Sequence, residues 1–167
     1  DCFFGCKNLS KIELNENIKE IPYGCFSELN LKEIILPQSV TKLGKACFSS
    51  CYNLTKIQFN ENLKEIQKCC FFHCWTIKEI RIPKSVTTLG TDENGVGIVY
   101  QAPNLQRIIV EEGNPVYDSR NNCNAIIETA TNTLLSGCKN TSIPSGIRTI
   151  GALAFCGCAD LQTIEIP

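Results

Sequence analysis

The sequence predicts an α/β repeat solenoid, in which short units stack into one right-handed coil with a parallel sheet along one face. One hydrophobic pattern, Leu/Ile-x-x-Ile-x-apolar, begins at residues 9, 31, 54, 77 and 105, so its copies start 22 to 28 residues apart. A sixth copy begins at residue 161. A period in the twenties with leucine and isoleucine at fixed offsets is typical of leucine-rich repeats. Solenoids of this kind act through extended surfaces, so a binding face is the functional feature that we expect.

Each repeat contains three elements in a fixed order. The hydrophobic pattern is expected to form a short strand of the parallel sheet, because its apolar residues alternate at the strand end. A shorter apolar pair follows, as in Val40-x-x-Leu43, and is expected to form a short strand on the next edge of the coil. A Cys-Phe or Ala-Phe dipeptide then predicts a helical turn whose phenylalanine fills the core. These phenylalanines are Phe3, Phe26, Phe48, Phe71 and Phe155.

Charged residues of alternating sign occupy one exposed position of successive strands. They are Lys11, Glu33, Lys56, Glu79 and Arg107. In a parallel sheet these side chains would stack about 4.8 Å apart. Each pair of opposite charges would then contribute about 0.2–1 kcal/mol to stability. The ladder favours a structural role for these charges and supports the strand register.

Two segments interrupt the period. The first begins with residues 91–97, which are polar and rich in glycine, and this predicts a loop at 91–101 that bulges from one coil. Between residues 111 and 142, two short apolar runs at 125–127 and 133–135 flank the polar segment 128–132. Two such runs around a polar turn predict a β-hairpin, inserted at about 114–138. The regular pattern resumes at Ile143.

Length and composition predict one solenoid domain over residues 1–167. The chain has no Met and both its ends fall within repeats, so we expect it to be a fragment of a longer chain. The net charge of −1 gives no basis for binding nucleic acid. The sequence has no apolar run long enough for a transmembrane helix, and we expect no membrane insertion of this segment.

Twelve cysteines make the chain rich in thiols. Three pairs have the spacing C-x3-C, which differs from the C-x2-C spacing of zinc ribbons. Buried thiols are the favoured interpretation, because cysteine is a small and readily buried residue. Disulfides and a metal site remain alternatives. Cys123 and Cys138, at the two ends of the hairpin segment, are a candidate pair if any disulfide is structural.

No motif for catalysis or for a cofactor is present, and the sequence predicts a protein that is not an enzyme and has no cofactor. His73 is the only histidine. A nucleophilic pair with Cys70 or Cys74 would require an orienting third group, which the sequence does not supply. Trp75 either packs across its turn or, if exposed, serves as a binding anchor.

Two segments carry a resemblance to a known family. Residues 48–57, Phe-Ser-Ser-Cys-Tyr-Asn-Leu-Thr-Lys-Ile, and residues 82–90, Ile-Pro-Lys-Ser-Val-Thr-Thr-Leu-Gly, resemble the BspA-like leucine-rich repeats. The interruption near Asn114-Pro115-Val116-Tyr117-Asp118-Ser119 is similar to the insert of that family. The chain departs from the family at Leu29, where a second Cys is expected, and in having Cys where Ala commonly precedes Phe. The resemblance implies a secreted or cell-surface protein that adheres to host proteins such as fibronectin and fibrinogen.

Two hypotheses for function follow. The first is an extracellular or cell-surface adhesion module that binds a protein ligand, such as a host extracellular-matrix or plasma protein. Its candidate binding face contains Lys11, Glu33, Ile35, Lys56, Glu79, Arg81, Arg107 and Ile109. The second is a structural spacer or stalk without a ligand of its own. The charge ladder favours the spacer, whereas exposed isoleucines and the resemblance favour adhesion.

Overall fold

Short strands joined by hydrogen-bonded turns make up the protein. A computed structural model describes residues 1–91 and 95–167. The strands are β1 (Glu20–Ile21), β2 (Glu33–Ile35), β3 (Lys42–Leu43), β4 (Lys56–Gln58), β5 (Glu65–Ile66), β6 (Glu79–Ile82), β7 (Thr88–Leu89), β8 (Arg107–Val110), β9 (Tyr117–Asp118), β10 (Ala125–Glu128), β11 (Thr133–Gly137) and β12 (Thr149–Ile150). A 3-10 helix covers Arg120–Asn122. The described ranges include no helix with the length and apolar character of a membrane span.

The longest parallel sheet comes from the second half of the repeat. Strands β1, β3, β5 and β7 pair in that order, parallel and in register. Their inward residues Ile21, Leu43 and Ile66 are almost fully buried. At the β7 edge, the backbone N–H of Leu89 donates to the hydroxyl oxygen of Tyr117 at 3.0 Å. Backbone hydrogen bonds between β1, β3, β5 and β7 therefore join successive coils along this sheet, and the Tyr117 hydroxyl bonds to its last strand.

The strands of the main hydrophobic pattern form a discontinuous sheet. β2 pairs with β4, and β6 pairs with β8, both parallel. Within the described residues β4 and β6 are not paired, and residues 9–14 and 161–166 contain no strand. The predicted sheet is therefore present as two separate pairs. The coils still stack at this point, because β5 and β7 remain paired on the other edge.

The turns that follow the short strands are not helical, and this part of the prediction is wrong. The amides of Cys47 and Ser49 donate to carbonyls three residues earlier. The amides of Ala46, Phe48 and Ser50 instead donate to carbonyls of the next coil. Ala46 and Ser50 have φ angles of 55° and 57°, in the left-handed region that interrupts a right-handed helix. The alternation turns the segment into a ladder of turns that joins one coil to the next.

Phenylalanine side chains stack along the core beneath these turns, which confirms the predicted core role of Phe26, Phe48 and Phe71, whereas Phe3 is 44% exposed. The ring centroids of Phe3 and Phe26 are 5.8 Å apart, those of Phe26 and Phe48 are 5.6 Å apart, and those of Phe48 and Phe71 are 6.0 Å apart. Phe26, Phe48 and Phe71 are fully buried. Each ring therefore depends on the neighbouring coil for its burial, as expected for a solenoid.

The segment predicted as a loop at 91–101 continues the ladder of turns over its second part. Residues 92–94 of this prediction lie outside the described residues. The carbonyl of Ile98 accepts a hydrogen bond from the amide of Phe71 at 3.0 Å, and Tyr100 O accepts one from the His73 amide at 3.2 Å. Ile98 is buried in the core. Residues 98–100 therefore belong to the stacked turns.

The apolar runs after residue 124 form an antiparallel pair of strands, β10 and β11. Thr133 of β11 also pairs in parallel with Thr149 of β12, so the second strand continues into the coil stack. Ile126 packs into the main core, whereas Ile127 faces a second, smaller cluster. That cluster also contains Cys123, Ala125, Leu134, Ile143 and Ala154. The strand pair thus lies between the two clusters.

Candidate functional site

A cleft opens on the sheet face where β4 and β6 are not paired, and we call it the central cleft. Ile57 and Phe59 are half-buried there and supply apolar surface. The Phe59 ring packs against Phe71 of the core, with centroids 6.0 Å apart. The residues lining the cleft are Thr55, Lys56, Ile57, Gln58, Phe59, Glu79, Arg81, Pro83 and Glu111.

Charged groups of both signs surround this apolar surface. Two arginines contact the Glu79 carboxylate, with Arg107 Nη1 at 3.0 Å and Arg81 Nη2 at 3.4 Å. The Glu111 carboxylate accepts a hydrogen bond from the Lys84 amide at 3.2 Å. Among the described residues Lys56 has no carboxylate within ion-pair distance, so its ammonium group is available to a ligand. The central cleft therefore combines anchored carboxylates with an available cation.

A second depression, the N-terminal cleft, lies beside β2. It is lined by Lys11, Ile12, Glu13, Leu14, Glu16, Glu33, Ile34, Ile35 and Pro37. Lys11 Nζ lies 2.6 Å from the Glu13 carboxylate of its own coil. This hydrogen bond raises the pKa of Lys11 and lowers the pKa of Glu13. Ile35 projects outwards with 56% of its surface exposed.

The structure divides the predicted binding face among three places. Lys56, Glu79 and Arg81 meet at the central cleft, with Arg107 beside Glu79. The N-terminal cleft holds Lys11, Glu33 and Ile35. Ile109 is half-buried and lines a different cavity, which includes residues 110–114 and 117–122. The expected continuous face is thus interrupted, because the sheet itself is interrupted.

The predicted charge ladder forms ion pairs at some of its steps. Glu79 and Arg107 are Cα partners in register and form an ion pair across coils. Glu33 and Lys56 are also in register, but no ion pair joins them within the described ranges. On the short-strand sheet, Lys42 Nζ lies 3.7 Å from Glu20 and 3.6 Å from Glu65.

The apolar surface of the central cleft was not predicted from the sequence. Ile57 and Phe59 occupy positions of the hydrophobic pattern that were assigned to the core. The sequence does distinguish Phe59, because the other copies of the pattern have a smaller aliphatic residue at this position. These residues are Leu14, Leu36, Ile82, Val110 and Ile166.

Trp75 both packs across its turn and remains accessible. Its ring centroid lies 4.9 Å from that of Tyr52 in the neighbouring coil. The two side chains are 49% and 44% exposed, respectively. The backbone of Trp75 is held by Asn104, whose Nδ2 donates to Trp75 O at 2.8 Å. Trp75 therefore packs across its turn and is also exposed, as a binding anchor would have to be, and the aromatic pair is a secondary candidate surface.

The geometry around His73 does not form a nucleophilic pair. His73 Nε2 contacts Oε1 of Gln101, and its ring stacks on Phe72. The Cys74 thiol donates to Phe48 O at 3.1 Å. Burial raises the pKa of Cys74 well above its usual value, which keeps this thiol protonated. A buried, protonated thiol is a poor nucleophile.

The cysteines form neither disulfides nor metal clusters in the described parts of the chain. No disulfide joins any two of them, and Cys123 and Cys138 are both buried as thiols. No group of three or more His, Cys, Asp or Glu side chains is arranged to hold a metal ion within residues 1–91 and 95–167.

Solved structures share this fold. The pneumococcal vaccine antigen PcpA is 20% identical, with a TM-score of 0.75 over 90% of this chain and 43% of its own. A leucine-rich cell surface protein from Faecalibacterium prausnitzii is 22% identical, with a TM-score of 0.72 over 97% of this chain and 50% of its own. A leucine-rich repeat protein from Eubacterium ventriosum is 25% identical, with a TM-score of 0.65 over 91% and 46%. The chain spans half or less of the length of each.

The sequence comparison gives the family. No curated protein matches the chain. The model of the BspA type leucine-rich repeat region matches residues 1–93 and 122–167 in six copies. These ranges contain β1 to β7 and β10 to β12. With most of its residues matched and the same repeat solenoid in its structure, the chain belongs to the BspA-type leucine-rich-repeat family.

Proposed function

We propose that this chain is a non-catalytic adhesion module that binds a protein ligand at the central cleft, in a secreted or cell-surface protein. The observation that carries the proposal is the opening of the sheet between β4 and β6, which leaves Ile57 and Phe59 only half-buried. An apolar centre with a polar rim is the usual anatomy of a protein interface. Lys56, Glu79 and Arg81 supply that rim.

The chemistry of the cleft defines the ligand class. A partner would place an apolar side chain against Ile57 and Phe59 and a carboxylate near Lys56. Host extracellular-matrix and plasma proteins present such groups on their surfaces. The solved relatives described as a vaccine antigen and as a cell surface protein support an extracellular location. Leucine-rich repeats generally act through protein–protein contacts, which supports a binding role.

A structural spacer is the second candidate, because some exposed charges neutralise one another. Lys42 contacts Glu20 and Glu65 in adjacent coils, and Arg107 contacts Glu79. Such pairs add to the stability of a stalk without requiring a ligand. Ion pairs of this kind occur on both sheets, whereas Lys56 has no carboxylate within ion-pair distance among the described residues.

The test is a binding measurement with the purified chain at physiological salt. Immobilised host proteins, including fibronectin and fibrinogen, would be compared by surface plasmon resonance. The cleft variant is Lys56→Glu, and the matched control is Lys42→Glu, which changes the same charge on the other sheet. We expect saturable binding that Lys56→Glu weakens at least tenfold and Lys42→Glu leaves within about twofold, since only Lys56 lines the cleft.

The outcomes separate the two functions. Binding that both variants retain would place the ligand on another surface, with the Tyr52–Trp75 pair as the next candidate. No saturable binding to any protein of the panel would favour the spacer. Circular dichroism and thermal unfolding of both variants would establish that any loss of binding is not a loss of fold.

A further inference from the structure

Two fully buried cysteine side chains from successive coils lie in direct contact. The Sγ atoms of Cys47 and Cys70 are 3.2 Å apart. Both residues are 0% exposed. Their backbones are adjacent, because the amide of Phe48 donates to Cys70 O at 3.1 Å. The contact therefore joins two layers of the ladder of turns at a hydrogen-bonded step.

Other buried thiols of the same turns behave differently. Cys51 Sγ donates to Phe26 O at 3.1 Å, and Cys74 Sγ donates to Phe48 O at the same distance. Both are as buried as Cys47 and Cys70. The thiols of Cys51 and Cys74 thus donate hydrogen bonds to backbone carbonyls, whereas the thiols of Cys47 and Cys70 contact each other. The C-x3-C spacing in the sequence pairs Cys47 with Cys51, whereas the structure places Cys47 against Cys70.

The geometry is close to that of a disulfide. Hydrogen-bonded neighbouring backbones lie about 4.8 Å apart. Disulfides span Cα separations of about 4.4–6.8 Å, with an S–S bond of about 2.0 Å. The two sulfur atoms therefore need to approach by only about 1 Å to reach bonding distance. Rotation about the Cα–Cβ bonds can supply such a movement without displacing the coils.

We propose that Cys47 and Cys70 form a site of oxidative modification, at which a disulfide covalently links successive coils. The oxidant is a low-molecular-weight disulfide such as glutathione disulfide. During folding, while the two side chains are still accessible, one thiolate attacks the small disulfide, which forms a mixed disulfide and releases one small thiolate. The second thiolate then attacks the protein sulfur of that mixed disulfide and releases another. Two protein thiols are oxidised, one small disulfide is reduced to two thiols, and the two protons pass to the released thiolates.

The disulfide would join the two coils that carry β4 and β6. Cys47 belongs to the turn that precedes β4, and Cys70 belongs to the turn that precedes β6. These are the strands between which the sheet is not paired. The disulfide would fix the spacing of two coils that lack sheet hydrogen bonds on that face. This consequence concerns the fold and does not depend on the proposed binding function.

The test follows the chain through oxidative refolding. The reduced, unfolded full chain, in which buried thiols are accessible, is refolded in a mixture of reduced and oxidised glutathione. Remaining thiols are alkylated, the protein is digested without reduction, and cross-linked peptides are sequenced by mass spectrometry. We expect a principal cross-link between Cys47 and Cys70, together with a higher Tm than that of the reduced chain.

Matched variants assign the link. Cys69 and Cys51 adjoin the proposed pair in the same peptides, so Cys69→Ala and Cys51→Ala should retain the cross-link and the increase in Tm. Cys70→Ala should lose both. Absence of the Cys47–Cys70 peptide from the wild-type chain would overturn the proposal, as would a principal cross-link from Cys47 to Cys51 or Cys69. The wild-type measurement decides the question even if Cys70→Ala fails to fold.

Discussion

Asn60 and Asn114 make equivalent pairs of hydrogen bonds at two levels of the solenoid. In each case the side-chain amide nitrogen donates to the backbone carbonyls of a proline and of the valine three residues after it. These acceptors are Pro37 O (2.5 Å) and Val40 O (2.9 Å) for Asn60, and Pro83 O (3.1 Å) and Val86 O (2.8 Å) for Asn114. One carboxamide therefore joins a coil to its neighbour at a corner where the backbone changes direction.

Replacing Asn60 with alanine should destabilise the fold. Asn60 is only 3% exposed, and the change would leave the Pro37 and Val40 carbonyls without this donor. We expect the free energy of unfolding to fall by about 1–3 kcal/mol, the cost of leaving buried polar groups unsatisfied. Urea unfolding followed by circular dichroism would measure it. Asn62→Ala is the control, because Asn62 is exposed and its side-chain nitrogen makes one bond, to Gln38 O. Equal losses in the two variants would show that burial of the carboxamide is unimportant.

Truncation of the phenylalanine stack should cost more. Phe48 is fully buried between Phe26 and Phe71. Phe48→Ala should lower the free energy of unfolding by about 3–5 kcal/mol, since it removes buried apolar area and leaves a cavity. Tyr23→Ala is the control, because Tyr23 is 53% exposed and its loss should change stability by about 0.5 kcal/mol or less. A loss below 1 kcal/mol for Phe48→Ala would contradict the role of the stack.

The cross-coil ion pair at the central cleft should have a measurable coupling energy. Glu79 and Arg107 are in register and 3.0 Å apart at their charged atoms, so a double-mutant cycle with alanine should give about 0.2–1 kcal/mol. Glu33 and Lys56 are also in register but form no ion pair in the described structure. Their cycle should give a coupling near zero. Similar coupling energies in both cycles would show that register alone, without contact, sets the interaction.

Buried thiols should make the fold sensitive to alkaline pH. Burial raises the pKa of Cys51 from its usual 9.0 to about 12. Below about pH 9 the thiol is protonated in both the folded and the unfolded chain, so its contribution is fully present. Above that pH the unfolded chain loses the proton first, and stability falls by about 1.4 kcal/mol per pH unit until the folded pKa is reached.

Urea unfolding of the wild type and of Cys51→Ala between pH 7 and pH 10.5 would isolate this contribution. The other titrating groups are common to both proteins, so they cancel in the difference between the two curves. We expect the wild type to lose stability more steeply than the variant above about pH 9. Parallel curves over the whole range would contradict the raised pKa of this thiol.

The repeat period allowed much of the coil to be predicted. The pattern at residues 31, 54, 77 and 105 located β2, β4, β6 and β8, and the Cys-Phe dipeptides located the buried ring stack. Such features repeat because each coil meets the same environment, so one set of offsets predicts them all. The candidate residues on the sheet face were also located on or beside the expected strands. Their division into separate clefts was not predicted.

The conformation of the turns could not be predicted in the same way. A small residue followed by phenylalanine is compatible with a helical turn, and nothing in the sequence marks Ala46 or Ser50 as left-handed. Their conformation is selected because it aims alternate amides at the next coil. The benefit comes from a neighbour more than 20 residues away in the chain, as in the bond from Ser50 N to Phe72 O.

The repeat, its register, the family and the in-register order of charges could all be inferred without a structure, because these depend on the offsets within each unit. The place where the sheet opens and the identity of the thiols in contact became known from the three-dimensional packing. The opening between β4 and β6 and the Cys47–Cys70 contact both depend on how two whole coils settle on one another. That packing balances the hydrogen bonds of the turns, the short-strand sheet and the ring stack together, and no single repeat contains the information.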